Sequence, residues 1–214
     1  MSLQLQWVKP PRQERSQNTH DRIVDAAQRL MARGKAFHEI GVAELAKEAG
    51  SSVGAFYSRF ADKDALLRVL QAELDREGLA TAEQTFQLAA GAPIPLPQLV
   101  RAFVQLAVSS YRAQHGLRRA LLVEMARDGE LRAHAAELAR ETCAGLVRVL
   151  ATRFPKAPLA RVELAVDVAH RLVYGLLDQA LLFDGASPTG RALDEDVVVT
   201  ELTAAVVAYL TTLV

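Results

Sequence analysis

The groups in this chain that could do chemistry lie close together. They are the hydroxyls of Ser52 and Ser58, the phenol of Tyr57, the guanidinium of Arg59 and the ammonium of Lys63. Among them sit Val53, Gly54 and Ala55, which offer only small apolar surface. Such groups make hydrogen bonds and ion pairs, and Arg59 is the strongest donor to a base or phosphate in the set. Nothing elsewhere points to bond making. The sequence contains no HExxH, GxSxG, P-loop or GxGxxG pattern, and Cys143 has no recognisable catalytic setting. The run Asp194, Glu195, Asp196 is better explained as acids complementing a helix N-terminus than as metal ligands. No catalytic residue, metal site or cofactor is expected.

The elements that must hold these groups can be read on either side of them. Val42, Leu45, Ala46 and Ala49 recur at helical spacing and give a short helix one buried face. Gly50 can enter the left-handed region that stops a helix, and Ser52 can cap the next one. Phe56 and Phe60 point that second helix inward, which leaves Val53, Gly54, Ala55, Ser58, Arg59 and the Tyr57 hydroxyl facing out. Two helices joined by so short a turn form a helix-turn-helix, whose second helix lies in the DNA major groove. Residues 42–64 therefore predict a DNA-reading element.

The rest of the chain supports this element. Ile23, Ala26, Ala27, Leu30 and Met31 predict a helix over residues 19–33, capped by Asn18 or Thr19 and closed by Gly34. Phe37 and Ile40 are core anchors ahead of residue 42. Asp62 is placed to cap a long helix whose inner face carries Leu66, Leu67, Leu70 and Leu74. Residues 91–97, GAPIPLP, read as a loop, and further helices are expected over 97–114, 116–127, 129–154, 158–184 and 195–214, with a second break at 185–190. The β-branched run at 196–200 is taken as helix because no partner strand exists. No internal repeat is evident.

Composition sets the limits. Net charge is zero, but residues 1–65 hold 10 Lys plus Arg against 8 Asp plus Glu, and the remainder 15 against 17, a mild asymmetry favouring the N-terminal end for DNA. A single cysteine excludes a disulfide framework. No signal-peptide pattern is seen, and no stretch is judged to approach a membrane span, so a cytoplasmic location without a membrane partner is expected. Residues 1–17 read as an arm, in which Lys9, Arg12 and Arg15 either fray in solvent or lie on phosphates or in a minor groove.

Residues 19–70 resemble the N-terminal domain of the TetR/AcrR-type transcriptional regulators. The likeness rests on Ile23, Ala26, Ala27, Leu30, Gly34, Leu45, Ala46, Ala49 and Gly50, followed by Ser52-x-Gly54-Ala55-Phe56-Tyr57-x-x-Phe60-x-x-Lys63-Asp64-x-Leu66. It implies that Tyr57 and Lys63 grip phosphates and that residues 52–58 approach bases. A cation in the first turn of a helix is disfavoured by the helix dipole, so a phosphate would explain Lys63. Three positions depart from the family pattern. Gly41 stands where Ser or Thr usually caps the second helix, Ser51 replaces an apolar residue, and Val53 replaces a frequent Lys or Arg. Val53 can offer only apolar contact, for example to a thymine methyl.

The expected architecture is all-α: an arm (1–17), a three-helix helix-turn-helix domain (18–64) and a larger helical ligand-binding and dimerisation domain (65–214). The helices at 158–184 and 195–214 are apolar on nearly all sides, so each needs cover on all sides, and a homodimeric four-helix interface supplies it. A dimer also sets two recognition helices about 34–36 Å apart for a palindromic operator. The resemblance further implies release by a small-molecule effector of unknown identity, held in a largely apolar pocket. Candidate residues are Phe103, Ala107, Ser110, Tyr111, Leu122, Met125, Thr142, Cys143 and Leu146, each of which also fits plain core, with His170 and Tyr174 as polar contacts. The polar stripe Asp167, His170, Arg171, Tyr174, Asp178 serves either cross-dimer hydrogen bonds or ligand. The expected function is a ligand-responsive, sequence-specific repressor. The alternative is a helical adaptor that binds proteins and leaves DNA unread.

Overall fold

The computed structural model describes residues 14–91, 94–182 and 189–213. Its elements are α1 (Glu14–Ala32), a 3₁₀ turn (Phe37–Glu39), α2 (Val42–Glu48), α3 (Val53–Tyr57), α4 (Lys63–Gly91), α5 (Leu96–Ala113), α6 (His115–Met125), α7 (Gly129–Arg153), α8 (Leu159–Leu182) and α9 (Glu195–Leu210), closed by a 3₁₀ turn (Thr211–Leu213). No strand occurs among the described residues. The all-α expectation holds.

Several boundaries differ from the sequence reading. Helix α1 begins at Glu14, so Asn18 and Thr19 lie within it and cap nothing. The residues after Pro11 contain no further helix breaker, and nothing in ERSQNTH opposes an earlier start. Of the expected arm, Arg12 lies outside the described residues, and Arg15 stands in the opening turn of α1. Helix α5 begins one residue before Pro97, in a first turn where a missing N–H costs nothing. One helical stretch, Glu195–Leu213, is long and apolar enough to cross a membrane by length and composition, which corrects the expectation that none approaches this. Its residues Val199, Leu202, Val206 and Leu210 are buried within the protein, and Glu201 is exposed.

The chain forms two compact units. The first takes the described residues up to Leu74 together with Gln114–Leu131; the second takes Asp75–Ala113 and the described residues from Arg132 onward. This differs from a division at residue 64, and it moves α6 out of the larger domain. The cause is local. Gly116 in the first turn of α6 lies against the end of α1 so closely that a β-carbon there would sit 2.6 Å from the Met31 carbonyl oxygen. Leu117, Ala120 and Leu121 then enter the core built by Ile23, Leu30, Phe37, Ile40, Leu45, Phe56, Phe60, Leu66 and Leu70.

In the second unit α5 contributes Val104, Ala107, Val108 and Tyr111 at helical spacing, and α8 contributes Val162, Val166, Val173 and Leu177. The α5, α8 and α9 helices pack on one another. Gly145 of α7 leaves no room for a side chain beside the Phe86 ring of α4.

Candidate nucleic-acid interface

Helix α2 is tied to α1 by charge. Glu48 accepts from Arg29 Nε at 3.1 Å and from Arg33 Nη1 at 3.2 Å, and Lys35 pairs with Glu44. The hydrogen bond from Arg29, then that from Arg33, holds the Glu48 carboxyl below its ordinary value. These cations are engaged within the protein and leave the interface few free charges.

The turn follows the sequence closely. Gly50 takes φ +58, and the Ser51 N–H returns to the Ala46 carbonyl at 2.8 Å. Arg22 Nη1 reaches the Gly50 carbonyl at 3.4 Å. Ser52 is extended, and its Oγ accepts from Ala55 N at 3.1 Å, so it caps α3 as expected. Gly41 holds the N-cap position of α2 without a side-chain hydrogen bond. Phe56 and Phe60 are fully buried with ring centroids 5.3 Å apart. Asp62 Oδ1 accepts from Ala65 N at 2.7 Å at the start of α4.

This packing fixes what faces outward. Val53 is 42% exposed and Tyr57 52% exposed, with Gly54 and Ser58 also open to solvent. Ala55 and Arg59 are half-buried. The Ser58 hydroxyl donates to the Ala55 carbonyl at 2.8 Å, so its proton is used inside α3. Arg59 Nε is buried and has no hydrogen-bond partner.

Lys63 stands differently from its sequence reading. Its ammonium donates to the carbonyls of Phe37 at 2.9 Å, His38 at 3.1 Å and Ile40 at 3.2 Å, and lies 5.0 Å from the Phe37 ring centroid. The first turn of α4 therefore has a local reason for a cation: it ties down the carbonyls of the turn that leads into α2. Those contacts are 23 to 26 residues away in sequence and leave no periodic trace. A phosphate would have to compete with all three carbonyls.

His20 escaped the sequence reading. It stacks on Phe60 with centroids 5.1 Å apart, close to Arg59. Burial lowers its pKa; Asp21 opposes that and Arg59 adds to it. The signal was available, because His20 lies three and four residues before the buried Ile23 and Val24.

The expected effector residues fall into two groups. Leu122 and Met125 lie on α6 in the first unit, where Met125 packs on the core around Leu121, four residues before it. The other candidates lie in the second unit. In the second unit Tyr111 and Ala107 are buried, while Phe103, Ser110, Cys143 and Leu146 are half-buried and Thr142 is buried. The structure brings three aromatic candidates together. Tyr111 lies 5.8 Å from Tyr174, and His170 stacks on Tyr174 at 4.3 Å.

The polar stripe of α8 finds partners within the chain. Tyr111 OH donates to Asp178 Oδ1 at 2.6 Å, and Arg171 Nε to Asp167 Oδ2 at 2.9 Å. Burial lowers the His170 pKa, Asp167 opposing it and Arg171 adding to it. Burial, then the Asp167 charge, pushes the Cys143 thiol up to about 11. That keeps it protonated and unreactive near neutral pH.

A cleft of about 510 Å³ opens in the first unit beside Arg68 and Leu67 of α4 and Glu124, Arg127 and Asp128 at the α6–α7 corner. None of the expected effector residues lines it. Arg68 Nη2 donates to Asp128 Oδ2 at 2.7 Å, and Asp128 Oδ1 accepts from the N–H groups of Glu130 and Leu131 at the start of α7. Burial raises the Asp128 pKa, but these hydrogen bonds outweigh it and leave the carboxyl below its ordinary value.

Residues 23–70 match the family described as bacterial regulatory proteins, tetR family, and residues 95–210 match the tetracyclin repressor-like C-terminal domain. No curated protein matches the chain. Among solved structures, a protein of Mesorhizobium loti assigned to the TetR-family transcriptional regulators is similar at 18% identity, covering 94% of this chain and 98% of its own, with a TM-score of 0.73. FadR of Bacillus subtilis, a transcriptional regulator solved with stearoyl-CoA, is similar at 19% identity over 91% and 97% of the two chains, TM-score 0.58. Salmonella enterica GusR is similar at 20% identity over 90% and 95%, TM-score 0.60.

Proposed function

The chain belongs to the TetR family of bacterial transcriptional regulators, and from that premise we propose that it is a homodimeric repressor, released from a palindromic operator by a small, largely apolar effector. The observation that carries the DNA-reading role is the α2–turn–α3 element. Buried Phe56 and Phe60 hold α3 rigidly while Val53 and Tyr57 stand exposed on it. Tyr57 contacts phosphate, and Val53, Gly54, Ala55 and Ser58 approach the bases, with Arg59 beside them and Arg12 and Arg15 reaching flanking backbone. Lys63 serves this surface mainly by fixing the turn before α2.

The dimer is supported by the outer faces of the last helices. Leu164, Leu172 and Leu182 of α8 and Val197 of α9 are exposed, and they lie on helices whose other faces are packed. Single exposed leucines need no explanation, but a series along one helix calls for cover. Two protomers joined there through α8 and α9 would bury it. The effector occupies the second unit near Phe103, Ala107, Ser110, Tyr111, Thr142, Cys143, Leu146, His170 and Tyr174. The stearoyl-CoA held by the Bacillus subtilis FadR accords with an apolar ligand in this fold. Binding there shifts α4, whose residues belong to both units, and so alters the spacing of the two recognition helices. As a cytoplasmic regulator it blocks transcription when the effector is absent.

Sedimentation velocity of the chain alone and with a duplex selected from a random library tests this. A dimer that binds one duplex, and leaves it when a hydrophobic effector screen finds its ligand, is the expected result. A monomer, or a complex that no effector loosens, would contradict the dimer or the release step respectively.

A further inference from the structure

We propose that α3 reads its half-site chiefly through thymine methyl groups, with Val53 and Ala55 as the contacting side chains. The inference rests on the DNA-reading role above and specifies what that surface recognises. Bases are read in the major groove either by paired hydrogen bonds, from Arg or Lys to guanine and from Asn or Gln to adenine, or by apolar contact with the thymine methyl. Of the first kind of reader the outward surface of α3 and its flanks holds one, Arg59. Residues 51–59 contain no Asn or Gln, and Arg59 is the sole cation among them. Its Nε is shut away from solvent and the side chain is half-buried, so only the end-on pair Nη1 and Nη2 is left to meet a base.

The hydroxyls of Ser52 and Ser58 each spend one hydrogen bond inside α3. Ser52 Oγ caps Ala55 N, and Ser58 donates to the Ala55 carbonyl. Apart from the Tyr57 hydroxyl, assigned above to phosphate, what stands open is hydrocarbon. Val53 presents its two methyls, and Gly54 lies beside it with only Ser52 Oγ, 3.9 Å away, near the place of a β-carbon. A side chain would fit at Gly54 as far as the protein is concerned, so its absence keeps the surface low where a base edge approaches. The half-buried Ala55 adds a third methyl close to this surface.

Burying one methyl is worth about 0.8 kcal/mol, which at about 1.4 kcal/mol per tenfold is roughly fourfold in affinity. The test uses the full chain and a duplex recovered by repeated binding selection. Each thymine is replaced in turn by deoxyuridine, which removes the methyl and keeps the pairing. Affinity should fall about fourfold at one or two positions per half-site. The loss at the thymine against Val53 should disappear in Val53→Ala and shrink in Val53→Thr, which keeps one methyl and the branched shape, while a loss at a thymine against Ala55 remains. Tyr57→Phe should weaken every duplex alike. A selected site indifferent to uracil at all positions overturns the thymine reading and leaves the DNA-reading role intact; failure to recover any enriched duplex overturns both.

Discussion

The two units bury their residues in different ways. In the first, a single core surrounds Phe56 and Phe60, both fully buried, with Gln71 as a buried polar group donating to the Leu131 carbonyl at 3.2 Å, and ion pairs from Arg29 and Arg33 fasten α2 to α1 and the residue just after it. In the second, polar groups enter the interior, with Asp75 and Thr142 buried, Asp75 facing His134 at 3.2 Å, and the Tyr111–Asp178 hydrogen bond on the inner face of α8. Apolar groups are left outside, with Leu164, Leu172 and Val197 all at least 40% exposed. The first unit is finished within one chain, as a rigid presenter of a short helix must be. The second leaves leucines exposed along α8, and under the proposed dimer a second protomer would cover them.

The largest effect expected is on the finished unit. Phe56→Ala removes a fully buried ring from the centre of its core and should cost about 3–5 kcal/mol. Denaturant melts should show this loss together with loss of DNA binding, while the second unit keeps its helices. A small cost would mean that the core yields and that the contrast drawn above is false. Next comes the second unit. Leu164→Lys with Leu172→Lys places charge on its exposed stripe and should weaken self-association about a hundredfold or more, read by sedimentation equilibrium, since an unpaired buried charge costs several kcal/mol. Unchanged association would move the interface elsewhere.

Lys63 sharpens the comparison, because its two roles predict different readouts. Lys63→Ala leaves three carbonyls of the turn after α1 without their donor and should lower stability by about 1–3 kcal/mol. A lysine that only held phosphate would leave stability unchanged and reduce the salt slope of DNA binding by about one. The smallest effect is at Gly41. Its φ of −81 suits any residue and nothing lies within 4 Å of an added β-carbon. Gly41→Ser should therefore raise the melting midpoint, by a gain of a few tenths of a kcal/mol from the missing cap.

What the sequence made legible was local. Gly50, Ser52 and Asp62 act within three or four residues of themselves, so their turn and caps could be placed from spacing alone, as could the inward Phe56 and Phe60. What it hid was partnership at a distance. The carbonyls that bind Lys63 belong to residues 37, 38 and 40. The periodicity of α6 shows an apolar face but not which core receives it, and Leu117, Ala120 and Leu121 enter that of the first unit. Tyr111 and Tyr174 are visible in the sequence as polar residues on apolar faces, but their meeting at 5.8 Å depends on how α5 and α8 pack. Spacing reports which face is buried and is silent about what covers it.

The central claim is that α3 reads DNA in a sequence-specific way. Its most direct test is fluorescence anisotropy of the purified chain on the duplex upstream of its own gene, against a random duplex of equal length, at several salt concentrations. The account predicts a preference of about a thousandfold or more, the lower end for specific binders, with both affinities falling as salt rises. Weak and equal binding to the upstream duplex, to the random duplex and to any duplex selected from a random library would contradict it.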